Sequence, residues 1–485
     1  MKVAITQGSA KKDDSLTVQL AKKILSFDKS QLTPLSIERA KMCILDAVGV
    51  MLAGTVEPAS LLLRNTPGVA SATGLCRIFG TNQKTSALDA ALINGTASHA
   101  LDYDDFSSIM GGHHTVPLIA PLLAIAEENC FSGEQVLIAY IIGVEVEIRF
   151  ARALGFHHYD KGWHPTSTIG TFGATASLSH LLSLNLNQTS TALSIAASMA
   201  AGIKANFGTM VKPLHVGQCA RNGLLAVLLA KQGYDANPNS LEHVQGFFNV
   251  FNGEGTFDTD KLFEDWALPL EIEGNTIALK QFPCCGSTHP AITMMLQLRQ
   301  EESMSTEDIE KIEVLPHSRR LMHTNHPFPK TSLEAKFSVQ YVTVRALLSG
   351  SVRLRDFEDN AFLSPEVKNL LNLIQAHPHP AMSDDADEQW GAEVIVYLKN
   401  GLKLSRRIDQ LVGRGGTSPM SEQEMWNKFQ DCAQRALPPE NLEAIFDMLL
   451  NFEKVSDINQ LTELLISPSV PSRTPNNELK GAKRK

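Results

Sequence analysis

The fold class of the chain is indicated most clearly by residues 134–154, which read EQVLIAYIIGVEVEIRFARAL. A run of this length exceeds the span of about three to ten residues that is usual for a β-strand, so it predicts a buried helix. Comparable runs, rich in Ala, Leu, Ile, Gly and Ser, occupy residues 118–129, 189–203 and 220–233. Their small residues would let helix axes approach closely, and loops that carry Gly, His and Pro separate them. Residues 85–235 therefore predict an all-α block.

The residue pattern changes near residue 268. Alternating or β-branched segments, which predict strands, are LEIEGNTIALKQF (270–282), IEKIEVLPH (309–317) and AEVIVYLKNGLKLSRRI (392–408). In the last of these segments, Asn400-Gly401 is a turn signal that predicts a β-hairpin. Helical patterns intervene at 289–302, 333–349 and 364–376. This mixture predicts a separate α+β domain.

Helical patterns return towards the end of the chain. The sequence therefore predicts a mainly α protein, with a helical domain whose first part is 1–267, an α+β domain over 268–410 and a C-terminal helical part over 411–466. The tail 467–485 is polar, contains Pro and ends in basic residues, so it is predicted to be disordered.

The charge balance and the cysteine content exclude several classes of protein. The chain has 43 Lys and Arg against 52 Asp and Glu, a formal net charge of −9, with no long basic block. Nucleic acid is therefore a poor partner, although a locally cationic pocket can still bind a small anion. The 7 cysteines are scattered, which predicts neither a disulfide framework nor a zinc ribbon and favours a reducing compartment.

The opening of the chain and its apolar runs indicate where in the cell the protein is expected. The opening MKVAITQGSAKKDDS has no apolar run of signal-peptide length and lacks the arginines of a transit peptide. No uninterrupted apolar stretch of the length that spans a bilayer, about 18 residues, is present. We therefore expect a soluble, cytoplasmic protein without a membrane partner.

The stretch HALDYDDFSSIMGGHHTVPL combines acidic residues and histidines around a Gly-rich turn. Its polar side chains are Asp102, Asp104, Asp105, His113 and His114. A carboxylate that orients or charges a histidine would give a general acid or base. The alternative is an acidic helix C-terminus followed by loop histidines, and the stretch alone leaves both interpretations open.

Two further polar stretches lie between apolar helices. In GWHPTSTIGTFGATAS, His164 precedes a small-residue helix whose positive end suits an anion, although helix capping alone would explain the threonines. In KANFGTMVKPLHVGQCARNG, Lys212 precedes a helix that is predicted to begin near Gly217. This lysine lies either on the surface or with its ammonium facing a cleft.

Two more stretches belong to the α+β region. In LKQFPCCGSTHPA, His289 and Pro290 open a helix, and in HTNHPFPKTSLEAKFSVQYV, Glu334 and Lys336 head another. GxGxxG, Walker, GxSxG and HExxH motifs are absent from the sequence, which argues against nucleotide chemistry, serine hydrolysis and zincin chemistry. Adjacent histidines seldom reach one ion, so we predict no metal.

Several of these stretches together resemble one protein family. ALINGTASHALDYDD followed by GHH, then GWHPTSTIGTFGA, NFGTMVKPLHVGQCARNG, FPCCGSTHP and EAKFSVQY, in this order, are similar to the MmgE/PrpD family. The resemblance, which runs from about residue 15 to 466, implies a large all-helical domain built from both chain ends and a smaller α+β lid domain from the middle. It also implies a homodimer that uses no organic cofactor.

The resemblance implies a set of site residues. The family's active-site aspartate corresponds to Asp102, its two helical-domain histidines to His113 and His164, its lysine to Lys212 and its lid histidine to His289. The chain differs from the family's animal aconitate decarboxylases at two positions. Phe106 stands where they have a threonine, and His323, a candidate substrate-binding residue with Lys212, falls near their lid tyrosine. The loop between Asp102 and His113 is one residue longer, as in the family's epimerase.

The reactions of this family share one step, in which a carbanion or enolate-like charge forms next to a carboxylate. Such a step needs fixed cations for a di- or tricarboxylate, here Lys212, and a proton carrier near neutral pH, for which histidine is suited. The first hypothesis is therefore a cofactor-independent lyase that decarboxylates cis-aconitate or an alkylated relative. The alternatives are a dehydratase of 2-methylcitrate or another alkylcitrate, an epimerase of an iminodicarboxylate, and a catalytically inactive binding protein.

Overall fold

The computed structural model describes residues 15–302, 304–382, 391–415 and 417–467. The chain forms two compact units, of which unit 1 comprises residues 1–277 and 432–485 and unit 2 comprises residues 278–431. Helices predominate over strands among the described residues, as predicted. Apart from Ser467, the predicted disordered tail lies outside the described residues.

The first part of unit 1 is built almost entirely from helices. They are α1 (Leu16–Leu25), α2 (Pro34–Gly54), α3 (Pro58–Arg64), α4 (Ala87–His99), α5 (Val116–Asn129), α6 (Gly133–Leu154), α7 (His157–Asp160), α8 (Pro165–Thr168), α9 (Gly170–Leu181), α10 (Leu186–Met199), α11 (Val211–Lys231) and α12 (Phe247–Phe251). Strands of two residues each also occur here, namely β1 (Cys76–Arg77), β2 (Lys84–Thr85), β3 (Phe106–Ser107) and β4 (Ile277–Ala278), of which the last contains the boundary to unit 2. Of the described helices, none taken singly is long and apolar enough to cross a membrane; α2 and α3 meet that test only as a pair, bent by 73°.

Helix α6, the predicted central run, shows why this sequence is helical. The Ser132 side chain accepts a hydrogen bond from the Gln135 N–H, and the Gln135 side-chain oxygen accepts one from the Ser132 N–H, so a capping box starts the helix. Gly155, with φ of 62°, ends it. Most of its side chains are buried, because it packs against α5 and α9, which also contact each other.

Helices α4 and α11 approach closely through glycine, as the small residues predicted. A Cβ atom added at Gly217 in α11 would lie 2.1 Å from the Leu92 carbonyl oxygen and 2.2 Å from Thr96 Oγ1, both in α4. Gly95 faces the same contact, since its Cβ would lie 3.0 Å from the Gly217 Cα. Only residues without a side chain permit this spacing.

Unit 2 combines a mixed sheet with helices. The helices are α13 (His289–Glu301), α14 (Ser318–Leu321), α15 (Ser332–Lys336), α16 (Val339–Ser349), α17 (Pro365–Leu371) and α18 (Glu422–Ala433), of which the last contains the boundary to unit 1. The strands are β5 (Ile309–Pro316), β6 (Ile374–Ala376), β7 (Ala392–Leu398) and β8 (Lys403–Ile408). The last part of unit 1 adds α19 (Leu442–Leu450) and α20 (Asn459–Thr462).

The sheet of unit 2 has the strand order β6-β5-β7-β8, in which β5 and β6 are parallel and the other pairs antiparallel. The predicted hairpin at Asn400-Gly401 is confirmed, because β7 and β8 pair from Ala392 opposite Ile408 to Tyr397 opposite Lys403. Helices α13 and α16 pack together, and α13 covers β7 and β8. Their apolar side chains form the core of this unit.

The prediction of a strand over 270–282 is wrong except at Ile277–Ala278. The segment is instead anchored to α6, where Arg152 forms a bidentate ion pair with Glu271 and the Glu145 carboxylate accepts the Glu271 N–H at 2.8 Å. The residues up to 277 therefore belong to unit 1. That the two units correspond to the domains predicted at 1–267 with 411–466 and at 268–410 stays a prediction.

Candidate active site

The loop between α4 and α5 folds back on itself. Asp102 has φ of 52°, a left-handed conformation that non-glycine residues adopt rarely, and it turns the chain directly after α4. Further on, the Ser107 N–H donates to the Gly112 carbonyl at 2.8 Å and the Gly111 N–H donates to the Ser107 carbonyl at 3.0 Å. These bonds close the Gly-rich turn and place His113 beside Asp102 and Asp104.

Asp104 lies between two imidazoles. Its Oδ2 atom is 2.8 Å from His99 Nδ1 and 2.9 Å from His113 Nδ1, and only the first contact has hydrogen-bond alignment. Although burial acts to raise the pKa of Asp104, the two histidines hold that pKa well below its usual value. Burial also lowers the pKa of His99 to about 4, against the opposing effect of Asp104. Asp104 is therefore ionised, and His99 is neutral at pH 7.

Asp102 joins this loop to α11. The Lys212 ammonium donates a hydrogen bond to Asp102 Oδ1 at 2.8 Å, and His113 Nε2 lies 3.4 Å from the same oxygen. The Lys212 side chain is 17% exposed, which excludes the interpretation as an ordinary surface lysine. It also lies 5.4 Å from the centre of the Phe207 ring, a cation–π distance.

His164 belongs to the same cluster, although it lies outside the loop between α4 and α5. It directly precedes α8, and its N–H donates to the Gly202 carbonyl at 3.0 Å. Its ring centre is 6.0 Å from that of His99, and its Nδ1 is 3.2 Å from His215 Nδ1. Burial and then the Lys212 ammonium lower the pKa of His164 well below its usual value, so this imidazole is neutral at pH 7.

The structure thus brings together four of the residues that the sequence predicted: Asp102, His113, His164 and Lys212. The arrangement places one ammonium and several imidazoles around two carboxylates. It could hold a carboxylate of a substrate by charge and could donate or accept protons at histidine nitrogens.

The other two predicted residues, His289 and His323, belong to unit 2. His289 begins α13, is 1% exposed, and its Nε2 lies 3.2 Å from the Cys284 carbonyl oxygen. Burial and then the nearby Lys280 lower the pKa of His289 to about 3. His323 Nε2 lies 3.0 Å from Ser287 Oγ. That both converge with the four residues of unit 1 stays a prediction.

The segment with Glu334 and Lys336 has a local structural role. In α15, the Glu334 carboxylate accepts the Lys330 N–H at 2.7 Å, and the Lys336 carbonyl accepts the Cys285 N–H at 2.9 Å. These bonds hold the start of the helix and the adjacent loop in place.

Two residues of the cluster, His99 and His215, were not singled out from the sequence, whereas Asp104 was named there as one of three aspartates that could orient or charge a histidine. His215 follows Lys212 by three residues, a spacing that places both on one face of a helix. That signal was lost because the helix was predicted to begin near Gly217, whereas α11 begins at Val211. Pro213 lies in the first turn of α11, where proline is tolerated because its missing N–H has no partner to lose.

Among the described residues, two groups of side chains have potential metal-ligating atoms within 4.8 Å of one another. The first is His99 with Asp102, Asp104 and His113, and the second is Cys43 with Asp105 and His114. In the first group the carboxylates are already paired with an ammonium and two imidazoles. In the second, burial raises the pKa of Asp105 to about 7, which disfavours the ionised form that binds a cation. The chemistry of these residues does not favour a metal, and its absence stays a prediction.

Imidazoles, carboxylates and an ammonium thus lie together at the loop between α4 and α5 of a mainly helical protein. This set of groups is suited to acid–base chemistry on an anionic substrate. The chain belongs to the MmgE/PrpD family. The MmgE/PrpD N-terminal domain matches residues 18–260, and the MmgE/PrpD C-terminal domain matches residues 282–454.

Relatives are similar to this chain over nearly its whole length. Cis-aconitate decarboxylase of Mus musculus is 29% identical over 471 residues, which cover 94% of each protein. Cis-aconitate decarboxylase of Homo sapiens is 29% identical and covers 96% of this chain and 97% of its own. Cis-aconitate decarboxylase of Aspergillus terreus is 27% identical, with 89% and 92% covered.

Proposed function

We propose that the protein is a cofactor-independent lyase that decarboxylates cis-aconitate, or an alkylated analogue, to itaconate or the corresponding product. The observation that carries the proposal is the Lys212–Asp102 pair, 2.8 Å long, beside His113 and within the same cluster as the neutral His164. Relatives named cis-aconitate decarboxylase, similar over at least 89% of this chain, support the choice among the family's reactions.

In this proposal, different residues of the cluster act in the two steps of the reaction, which are loss of CO₂ and protonation of the carbanion. Loss of CO₂ breaks a carbon–carbon bond and leaves its electron pair on an allylic carbanion, which is conjugated with a remaining carboxylate. The Lys212 ammonium is placed to stabilise this growing negative charge, and because its position is fixed in advance, it needs no reorganisation during the reaction. An imidazole, that of His113 or of the neutral His164, then transfers an N–H proton to the carbanion carbon and completes the product, and it takes a new proton from solvent.

The proposal is tested with a panel of candidate substrates. The purified protein is incubated separately with cis-aconitate, trans-aconitate, citrate and 2-methylcitrate, the first uniformly labelled with ¹³C, and the products are identified by NMR. We expect labelled CO₂ and itaconate from cis-aconitate, formed about 10²-fold or more slowly by a Lys212→Ala variant.

The other outcomes identify the alternatives. A product of water loss without CO₂ would show a dehydratase. Exchange of a substrate carbon-bound proton with deuterium, measured on an iminodicarboxylate without loss of CO₂ or water, would show an epimerase. Binding of cis-aconitate without any turnover would favour an inactive binding protein.

A further inference from the structure

A direct contact between two histidines lies at the edge of the site. His164 Nδ1 and His215 Nδ1 are 3.2 Å apart, although the first residue precedes α8 and the second belongs to α11. Hydrogen bonds fix the backbone of both residues. The His164 N–H donates to the Gly202 carbonyl at 3.0 Å, and Ser167 Oγ donates to the His215 carbonyl at 3.1 Å.

A contact between two Nδ1 atoms requires that one carries a proton and the other does not. Burial and the neighbouring Lys212 lower the pKa of both imidazoles, so each is neutral at pH 7 and one proton is shared between the two Nδ1 atoms. When that proton moves from one ring to the other, the position of the proton on each Nε2 must change too. Proton transfer within the pair therefore changes the protonation of His164 Nε2 and His215 Nε2 together.

The two histidines differ in their access to water. His164 is 2% exposed, whereas His215 is half-buried. His164 packs against His99 and the Phe207 ring, with ring centres 6.0 and 4.8 Å away. The pair thus extends from the buried cluster towards solvent.

We propose that His215 is a proton relay that recharges His164 during turnover, an inference that rests on the proposed decarboxylation. The cycle starts with protons on His164 Nε2 and His215 Nδ1. His164 gives its Nε2 proton to the substrate carbanion while its Nδ1 takes the proton of His215 Nδ1, and His215 Nε2 takes a proton from water. Both rings end neutral, with the proton of His164 on Nδ1 and that of His215 on Nε2, and the water that supplied the proton is left as hydroxide in the solvent. Before the next turnover the pair returns to its starting tautomers: His215 Nε2 releases its proton to water, His215 Nδ1 takes back the proton of His164 Nδ1, and His164 Nε2 takes a proton from water that enters the emptied site.

The relay is tested with two variants of His215 and one control. His215→Asn keeps a side-chain amide near the position of Nδ1 but cannot pass a proton through a ring, and His215→Ala leaves a space open to solvent. His157→Asn replaces an exposed histidine of the same unit and serves as the control. In the two His215 variants we expect kcat to fall by roughly 10²-fold, the lower end of the usual contribution of acid–base catalysis, with little change in KM.

Chemical rescue separates a relay from a structural role. Imidazole has two nitrogens and should restore much of the kcat of His215→Ala, whereas 1-methylimidazole has no N–H and should not. Failure of imidazole to rescue, equal rescue by both compounds, or wild-type kcat in His215→Asn would overturn the relay.

A measurement without substrate keeps this result distinct from failure of the proposed function. If the wild-type protein releases no CO₂ from cis-aconitate, the decarboxylase proposal fails by itself. In that case ¹⁵N NMR of histidine-labelled protein decides the relay, because the proposal requires one Nδ1–H and one bare Nδ1 in the pair. Signals of both His164 and His215 as Nε2–H tautomers would contradict it.

Discussion

The ammonium of Lys212 lies 2.8 Å from Asp102 Oδ1, although 110 residues separate the two in the chain. Both ends of this pair are fixed by backbone structure, Asp102 by its left-handed turn after α4 and Lys212 by the first turn of α11. A cation that is already oriented when substrate arrives can stabilise charge at little further cost.

Lys212→Ala is expected to lower kcat/KM for cis-aconitate by about 10²-fold or more, the usual effect of removing a preorganised electrostatic donor. The measurement is steady-state kinetics together with the thermal unfolding midpoint, which should change little. Lys231→Ala, at the exposed end of the same helix, is the matched control. A Lys212→Ala enzyme that retains more than about a tenth of the wild-type rate would rule out the electrostatic role.

His113→Ala and His164→Ala are each expected to lower kcat by roughly 10²–10⁴-fold, because both imidazoles are placed to carry the proton. Rates are measured with saturating substrate so that binding defects do not contribute. Near-wild-type activity in both variants would mean that another group carries the proton, and His323 would be examined next.

The buried His99 predicts how stability depends on pH. Its imidazole takes up a proton near pH 4 in the folded protein but near the ordinary value of 6.5 in the unfolded chain. Between these pH values the unfolded chain binds more protons, so the free energy of unfolding falls as the pH falls. His99→Gln should make this dependence shallower, by at most about 1.4 kcal/mol per pH unit.

Denaturant unfolding at several pH values between 7 and 4 measures this effect, with the exposed His157→Gln as control. Equal slopes for the wild type and His99→Gln would show that His99 is not held neutral in the folded protein.

EDTA is expected to leave the activity unchanged, because the carboxylates of the cluster are paired with Lys212 and with histidines. The protein is dialysed against the chelator and assayed at intervals. Activity that is lost and then restored by one divalent ion would overturn the metal-free prediction.

Gly217→Ala is expected to destabilise the protein by about 1–3 kcal/mol, the usual cost of overpacking, because its Cβ would lie 2.1 Å from the Leu92 carbonyl oxygen. To relieve this overlap, α11 would have to shift away from α4. That shift would also displace Lys212 and His215, so kcat should fall as well. Chemical denaturation and kinetics are measured in parallel with Lys231→Ala. Unchanged stability would show that α4 and α11 can move apart freely.

Sequence patterns predicted those parts of the fold that depend on local chemistry. The run at 134–154 is contained in α6, and Asn400-Gly401 does form the β7–β8 turn. The strand predicted over 270–282 is wrong except at Ile277–Ala278, because contacts that are distant in sequence decide the conformation of this segment. Arg152 and Glu145 hold Glu271 against α6.

The candidate site was predictable only in part, for a related reason. Asp102, His113, His164 and Lys212 stand in segments whose motifs point to chemistry, and the resemblance joined them. The pairing of His99 with Asp104 depends on the left-handed turn at Asp102, and the contact of Asp104 with His113 depends on the turn that Gly111 and Gly112 close. No local pattern reports such a contact.

Under the proposed function, the close contact at Gly217 also limits how the protein could be redesigned for other substrates. The ends of α4 and α11 that carry His99 and Lys212 are fixed against each other by backbone contact, so we expect that a mutation cannot widen the site by sliding one helix along the other. A larger substrate would instead require smaller side chains in the loop between α4 and α5, and half-buried Phe106, at which the chain differs from the family's animal aconitate decarboxylases, is the first position to vary. We therefore expect substrate range to be adjustable at this loop while His99 and Lys212 keep their positions.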